Sequence, residues 1–414
     1  MTTAGLALLF LTVAAVTWQL CLVACHISRL ASVPPRPQTT NWPATAIVIA
    51  VRGGNEGLEE CLDRVAALNY EDFELHVVID HETDPCMPLV RRWAATQPRL
   101  AVVIHTLANP SSGATLKCSA MYQALTSLSN RIEAVVMLDA DAYVYPNWLK
   151  DMLQPTLDGT VSMATGNRWY SPTAPGLGSL LRFLYNANAV IPMHAGRMTW
   201  GGSLALRRDV FTHPAFLESL LCSPTEDASV HEAISVLGKR LAMVSHVMLL
   251  TTDPIDVAAC VRFIQRQLLW TRLYHAAWPL IAFGSAAAYA VALVACVALV
   301  WSTIRGHWPS AVAFGSALAV AIAGNLVAVE ILHRGIAAVI GKRQGRKVPS
   351  MDTLCRLRVL AAIPLSLPVI AFTAVSAALA RRVRWSGIEY EIDPPRRIRL
   401  VEYRPVNLPL ASSS

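Results

Sequence analysis

Four apolar runs decide what this chain can fold into: Leu6 to Val23, Ala276 to Trp301, Pro309 to Leu332 and Val359 to Ala380. Each is long enough, as a helix, to cross a hydrocarbon core of roughly 30 Å. Backbone polar groups in lipid must be satisfied within the segment, so helix is the form expected of them. No basic stretch precedes the first run and His26-Ile27-Ser28-Arg29 follows it, which reads as a retained anchor over residues 1–28 and not a cleaved leader. Composition agrees, with 54% of the 414 residues hydrophobic and 15% charged. The net charge of +7 gathers at the ends of the runs, where anionic lipid attracts it. The basic balance therefore implies a membrane partner and no nucleic acid.

Arg29 and Arg36 flank the first run, and Arg262, Arg266 and Arg272 precede the second, so the positive-inside rule puts the stretch between them in the cytosol. The chain reads as an integral protein of the cell or inner membrane. Its nine cysteines are scattered and include no Cys-x-x-Cys, which suggests neither a disulfide framework nor a zinc site. The fourth run is in conflict with the rule. Lys342, Arg343, Arg346, Lys347, Arg356 and Arg358 lie before it and Arg381, Arg382 and Arg384 after it, so both flanks look cytosolic. A re-entrant or interfacial hairpin broken at Pro364 and Pro368 would satisfy both flanks, because proline removes helical donors and kinks the axis. Four full spans with the Arg-rich tail of residues 381–414 outside would be the alternative; the expectation carried forward is a cytosolic tail.

The soluble stretch alternates strands with helices. Thr45 to Val51 reads as a parallel strand, Arg52-Gly53-Gly54-Asn55-Glu56 as its turn and Leu58 to Leu68 as an amphipathic helix. Leu75 to Asp80 is a second strand and Leu100 to Ile104 a third apolar segment. Lys117 to Leu128 reads as helix, before a strand over Val135 to Asp139. That order predicts an α/β domain with a parallel sheet, whose ligands sit at the carboxyl ends of the strands. Asp80, Asp139 and Asp141 fall there. Alternate residues of a strand point one way, so Asp139 and Asp141 can converge on one hard cation.

The chain resembles the membrane-bound family 2 glycosyltransferases of GT-A (Rossmann-like) fold, and within them the ceramide glucosyltransferase-like group. The first strand and turn match at Val51 to Glu56, the Val-Asp-Asp-x-Ser-Thr-Asp element at Val78 to Asp84, the lysine after the third strand at Lys117, and Asp-x-Asp at Asp139 and Asp141. Trp200 to Arg208 is similar to the glycine-containing acceptor segment, Thr225-Glu226-Asp227 to the segment that carries the base, and Trp385-Ser386-Gly387-Ile388-Glu389-Tyr390 to the tail of bacterial members. One position departs: in Arg266-Gln267-Leu268-Leu269-Trp270 a leucine stands where the family has an arginine expected to touch the donor diphosphate.

The resemblance implies a glycosyltransferase domain over residues 40–260, an interfacial amphipathic helix over 261–275 and a membrane region over 276–380. It implies an inverting transfer of a sugar from a nucleotide-diphosphate donor, a UDP-sugar, to a membrane lipid. Asp141 would bind Mg²⁺ or Mn²⁺, with Asp139 beside it on metal or ribose. Asp80, Glu56 and Lys117 would hold the nucleotide, and Arg266 or Arg272 would replace the missing arginine. Gly201, Gly202 and Trp270 would border the acceptor, although Trp270 also fits a plain interfacial anchor. Asp227 would be the general base, its pKa raised by burial, with Glu226 less suited because neighbours on a helix face different ways. A processive polysaccharide synthase would need more spans for a channel. A degenerate non-catalytic membrane binding module rests only on the lost arginine, and Tyr143 disfavours a phosphatase, which places Thr or Val there.

Overall fold

In the computed structural model, residues 1–32, 35–37, 41–54, 57–393 and 397–406 are described. The chain opens with helix α1 (Thr2–Ala31). Four strand–helix steps follow: β1 (Thr45–Val51) and α2 (Leu58–Ala66), β2 (Phe73–Ile79) and α3 (Cys86–Ala95), β3 (Ala101–Thr106) and α4 (Leu116–Ser127), β4 (Ala134–Asp139) and α5 (Trp148–Leu153). Then come β5 (Met163–Tyr170), α6 (Leu177–Ala195), β6 (Ser203–Arg207), α7 (Arg208–Phe211), α8 (Pro214–Leu220), α9 (Glu226–Leu237) and β7 (Leu241–Thr251). Four helices, α10 (Val257–Tyr274), α11 (Trp278–Ile304), α12 (Trp308–Gln344) and α13 (Thr353–Leu379), lead to strands β8 (Arg382–Trp385), β9 (Ile388–Asp393) and β10 (Arg397–Glu402). The elements fall into a sheet unit (Pro34–Arg168, Arg197–Leu250, Ala380–Ser414) and a helical unit (Met1–Val33, Trp169–Gly196, Thr251–Leu379).

The sheet unit is the α/β domain that the strand–helix alternation implied. Its seven strands run in the order β3-β2-β1-β4-β6-β5-β7. β1 pairs in parallel with β2 and β4, and β6 pairs antiparallel to β4 and β5. β1 is buried almost throughout, as a central strand covered on both faces must be, while β3 at the edge keeps exposed positions. α2 buries Leu58, Cys61, Leu62 and Val65, the i, i+3, i+4, i+7 stripe of an amphipathic helix. The tail strands form a separate antiparallel sheet, β10-β9-β8. That sheet is tied to the large one: the Leu116 N–H donates to the Tyr390 hydroxyl at 3.2 Å and the Leu400 N–H to the Ser112 carbonyl at 2.8 Å.

In the helical unit, α1, α11, α12 and α13 are each long and apolar enough to cross a membrane. α1 packs along α12 through glycines. A Cβ at Gly324 would meet Val16 at 2.4 Å and one at Gly335 would meet Ile27 at 2.8 Å, so small residues set the close approach, as lipid-embedded helices require. With 37 residues, α12 spans about 55 Å and outruns the hydrocarbon thickness. The expected break at Pro364 and Pro368 does not occur: both prolines lie inside one helix, α13. Two prolines four residues apart cost two backbone donors, which packing against α6, α10 and α11 offsets.

Candidate active site

Asp139 is the last residue of β4, and Gly202 just precedes β6, its antiparallel neighbour. The two glycines of that segment make room for acids. A Cβ on Gly202 would stand 2.3 Å from Asp139 Oδ2, and one on Gly201 would stand 1.7 Å from Glu226 Oε1. Behind them the Trp148 indole donates to Ser203 Oγ at 2.9 Å and fixes the start of β6.

Two helix N-termini deliver the remaining groups. Thr115 caps α4, its hydroxyl accepting from the Cys118 N–H, and this presents Lys117 in the first turn. Thr225 caps α9 in the same way and presents Glu226 and Asp227. The Lys117 ammonium donates to Asp139 at 2.6 Å and to Glu226 at 2.5 Å. Burial alone would lower its pKa, but these two carboxylates outweigh it and keep the lysine charged. Asp227 is pushed well above the ordinary carboxylate range by burial, then by Glu226 and Asp139, against the opposing pull of Lys117 and a backbone hydrogen bond from Gly201.

Arg168, at the inner end of β5, closes the far side. Its Nη1 donates to Asp141 Oδ2 at 2.8 Å, and its Nη2 donates to Asp141 Oδ1 at 2.6 Å and to Asp139 Oδ2 at 3.2 Å. The guanidinium lies over the Trp200 ring, 4.9 Å from its centroid. Burial would raise Asp141, yet Arg168 dominates and holds it at about 2. Nothing in the sequence flags an arginine at a strand end, so sequence reasoning missed Arg168. Glu226 was passed over because its neighbour was preferred, yet it is 2% exposed and bonded to Lys117.

A second acidic edge lies two strands over. β1 runs between β2 and β4, pairing Val51 with Ile79 and Ala50 with Asp139, so Asp80 and Asp139 follow strands roughly 10 Å apart. Asp80 is 4% exposed and forms an ion pair with Arg52. Burial and Asp84 raise its pKa while Arg52 lowers it, with a net rise. The tail completes the edge. Arg52 Nε donates to the Ser386 carbonyl at 2.8 Å, its Nη2 donates to the Arg404 carbonyl at 2.6 Å, and the Tyr403 hydroxyl donates to the Asp80 carbonyl at 3.0 Å. Glu56, expected beside Asp80, lies outside the described residues.

Asp80 Oδ1, Glu226 Oε2 and Asp227 Oδ1 are buried and have no hydrogen-bond partner among the described residues. Each such atom costs about 1–3 kcal/mol, which a bound ligand would recover. Asp139 and Asp141 offer the hard oxygens that Mg²⁺ or Mn²⁺ prefers, and among the described residues no cluster of three metal-ligating side chains forms. The pair therefore suits a cation that takes its remaining ligands from phosphate and water. Trp270, Arg266 and Arg272 all lie on α10 in the helical unit. There Trp270 is buried, Arg266 stands 5.9 Å from the Phe263 ring centroid and Arg272 donates to the Ala377 carbonyl at 2.7 Å.

The family model for glycosyl transferase family 21 matches residues 7–398. The chain belongs to glycosyl transferase family 21. That is the ceramide glucosyltransferase-like family, so the family 21 protein is a glycosyltransferase. No curated protein matches it. Among solved structures it is similar to the mannosyltransferase PcManGT from Pyrobaculum calidifontis in complex with GDP-Man and Mn²⁺, at 18% identity over 91% of this chain and 99% of that one, TM-score 0.48. It is also similar to glucosyl-3-phosphoglycerate synthase from Mycobacterium tuberculosis in complex with Mn²⁺, UDP and glucosyl-3-phosphoglycerate, at 17% identity over 57% of this chain and 85% of that one, TM-score 0.37.

Proposed function

We propose that this family 21 glycosyltransferase moves a sugar from a uridine diphosphate donor to the hydroxyl of a membrane lipid, with inversion at the anomeric carbon. The observation that carries the reading is the buried, unpartnered Oδ1 of Asp227, next in the chain to the Glu226 that Lys117 ties to Asp139, although 88 positions separate the two aspartates. A carboxylate with a raised pKa takes a hydroxyl proton well near neutral pH. Asp227 accepts the acceptor's proton from the first turn of α9, beside the Glu226 that Lys117 anchors, and no covalent enzyme nucleophile is needed. Asp80 reads the nucleoside with its free oxygen. Asp139 and Asp141 would hold Mg²⁺ or Mn²⁺, which when bound neutralises the departing diphosphate. Gly201 and Gly202 keep the acceptor side of Asp227 open.

The sheet unit is assigned to the cytosol, from the basic residues beside α1 and on α10. Arg36 counts for less than the others, since it is paired with the buried Asp151 at 2.6 Å. The tail lies on the same side, because Ser386, Tyr403 and Arg404 bond Arg52 and Asp80. A chain that leaves one face and returns to it crosses an even number of times. Of α11, α12 and α13, two therefore cross. We assign α13 to the interface, since Arg356 and Arg358 begin it and Arg381, Arg382 and Arg384 follow it.

The test is to incubate the purified full chain with radiolabelled UDP-sugars, Mn²⁺ or Mg²⁺ and membrane lipid, extract the lipid and determine the anomeric configuration of the product. One sugar per lipid with inverted configuration is expected. A ladder of products would replace this reading with a polysaccharide synthase, and absence of transfer with every donor would leave a binding module.

A further inference from the structure

We propose that Arg168 is the cation that grips the leaving diphosphate, supplying from β5 the guanidinium that position 269 lacks. The inference rests on the donor reading above. Four acids, Asp139, Asp141, Glu226 and Asp227, gather at the ends of β4 and α9, and among the described residues the cations bonded to the first three are Lys117 and Arg168. Lys117 meets Asp139 and Glu226 with one ammonium. A point charge has no planar fork to match paired phosphate oxygens.

Arg168 is placed differently. Its fork meets both oxygens of Asp141, the more open of the two acids with 47% of its side chain exposed, and reaches one oxygen of Asp139. The residue is 8% exposed, and the Trp200 ring beneath the guanidinium fixes its plane. A fork held edge-on to paired carboxylate oxygens is held edge-on to paired phosphate oxygens as well, because planar bidentate geometry serves both. The position is also the right one: a diphosphate held by a cation on Asp139 and Asp141 would lie beside the atoms this guanidinium already touches. Position 269 cannot do the same work, since Leu269 is apolar and 1% exposed.

The experiment measures, on the purified full chain in detergent, the calorimetric affinity for UDP and for UMP, each with Mn²⁺ and with chelator. Wild type, Arg168→Ala and Arg168→Lys are compared, the lysine variant keeping the charge without the fork. We expect Arg168→Ala to lose about 10- to 100-fold in affinity for UDP and little for UMP, as removal of charge-assisted bonds to one phosphate predicts, with Arg168→Lys between. An unchanged ratio of UDP to UMP affinity overturns the inference, even if both affinities fall, because an arginine that only orders the two aspartates would weaken both nucleotides alike. GDP and GMP are titrated in parallel, so a wrong choice of base does not reach this result; a wild type without diphosphate preference in either series sinks it. A wild type with that preference but no transfer to lipid defeats the acceptor reading alone.

Discussion

Two arginine–aspartate clasps stand at the carboxyl edge of the sheet, and they differ in what else holds the arginine. Arg52 at Asp80 gives its remaining donors to two backbone carbonyls of the tail, Ser386 and Arg404. Arg168 gives three bonds to the carboxylates of Asp139 and Asp141 and lies over a ring. Backbone carbonyls cannot be displaced without unfolding the tail, whereas a carboxylate can exchange one cation for another. The first clasp therefore belongs to the architecture and the second to the chemistry. Each of the following changes is chosen to test that division.

The largest effect is expected on the chemical side, at Asp227. Asp227→Asn should lower transfer by about 10²- to 10⁴-fold while leaving UDP affinity unchanged, the range typical for a lost general base; transfer rates and calorimetry measure the two. The raised pKa adds a sign. The carboxylate must be ionised to act, so kcat/KM should fall as pH drops through a limb lying above the ordinary carboxylate range, and Asp141, held at about 2, should stay charged throughout that limb. The same shift penalises the folded state: the native protein binds the proton more tightly than the unfolded chain, so the stability present below the unfolded pKa is lost as pH rises through the folded one. Asp227→Asn should therefore raise the melting temperature at pH 7.5 and leave it nearly unchanged at pH 4. A variant that melts earlier at pH 7.5 would show that the aspartate stabilises the fold.

How much of this could be read beforehand follows from which interactions are local. The strand–helix alternation and the strand-end aspartates depend on short-range pattern, and the sequence exposes short-range pattern directly. α4 lies one residue from its expected start, because the capping threonine and not the lysine sets the boundary. Arg168 and Tyr403 have no local signature. Arg168 acts only once β5 lies two strands from β4, and Tyr403 only once a tail more than 300 residues away folds back onto Asp80. The prolines of α13 misled for the opposite reason: their local cost is real, but neighbouring helices absorb it.

A smaller effect is expected at Gly202. A Cβ there meets Asp139 Oδ2 and the Trp200 ring, at 2.3 and 2.2 Å, so Gly202→Ala must displace one of them. Overpacking of this kind costs about 1–3 kcal/mol of stability, read from denaturant unfolding. If the site is as closely set as its carboxylates suggest, transfer should drop by about 100-fold, since a misplacement of about an ångström at reacting groups has that consequence. Gly54, whose added Cβ would meet nothing within 4 Å, is the control, and Gly54→Ala should leave transfer intact. Equal losses at both glycines would mean that the effect is not one of space at Asp139.

The smallest effect tests the architectural clasp. Tyr403→Phe removes one hydroxyl, which donates to the Asp80 backbone carbonyl at 3.0 Å. The ring stays, and the bonds from Arg52 to the tail are untouched, so only about 1 kcal/mol of unfolding free energy should be lost. If the tail is architecture, that loss should come without a change in the ratio of UDP to UMP affinity, because the hydroxyl bonds Asp80, which the proposed function puts at the nucleoside and not at the phosphates. Affinity for both nucleotides should fall together and by less than about fivefold, the ceiling that 1 kcal/mol sets. A fall confined to UDP would place the tail among the groups that hold phosphate, and the distinction between the two clasps would then fail at its architectural end.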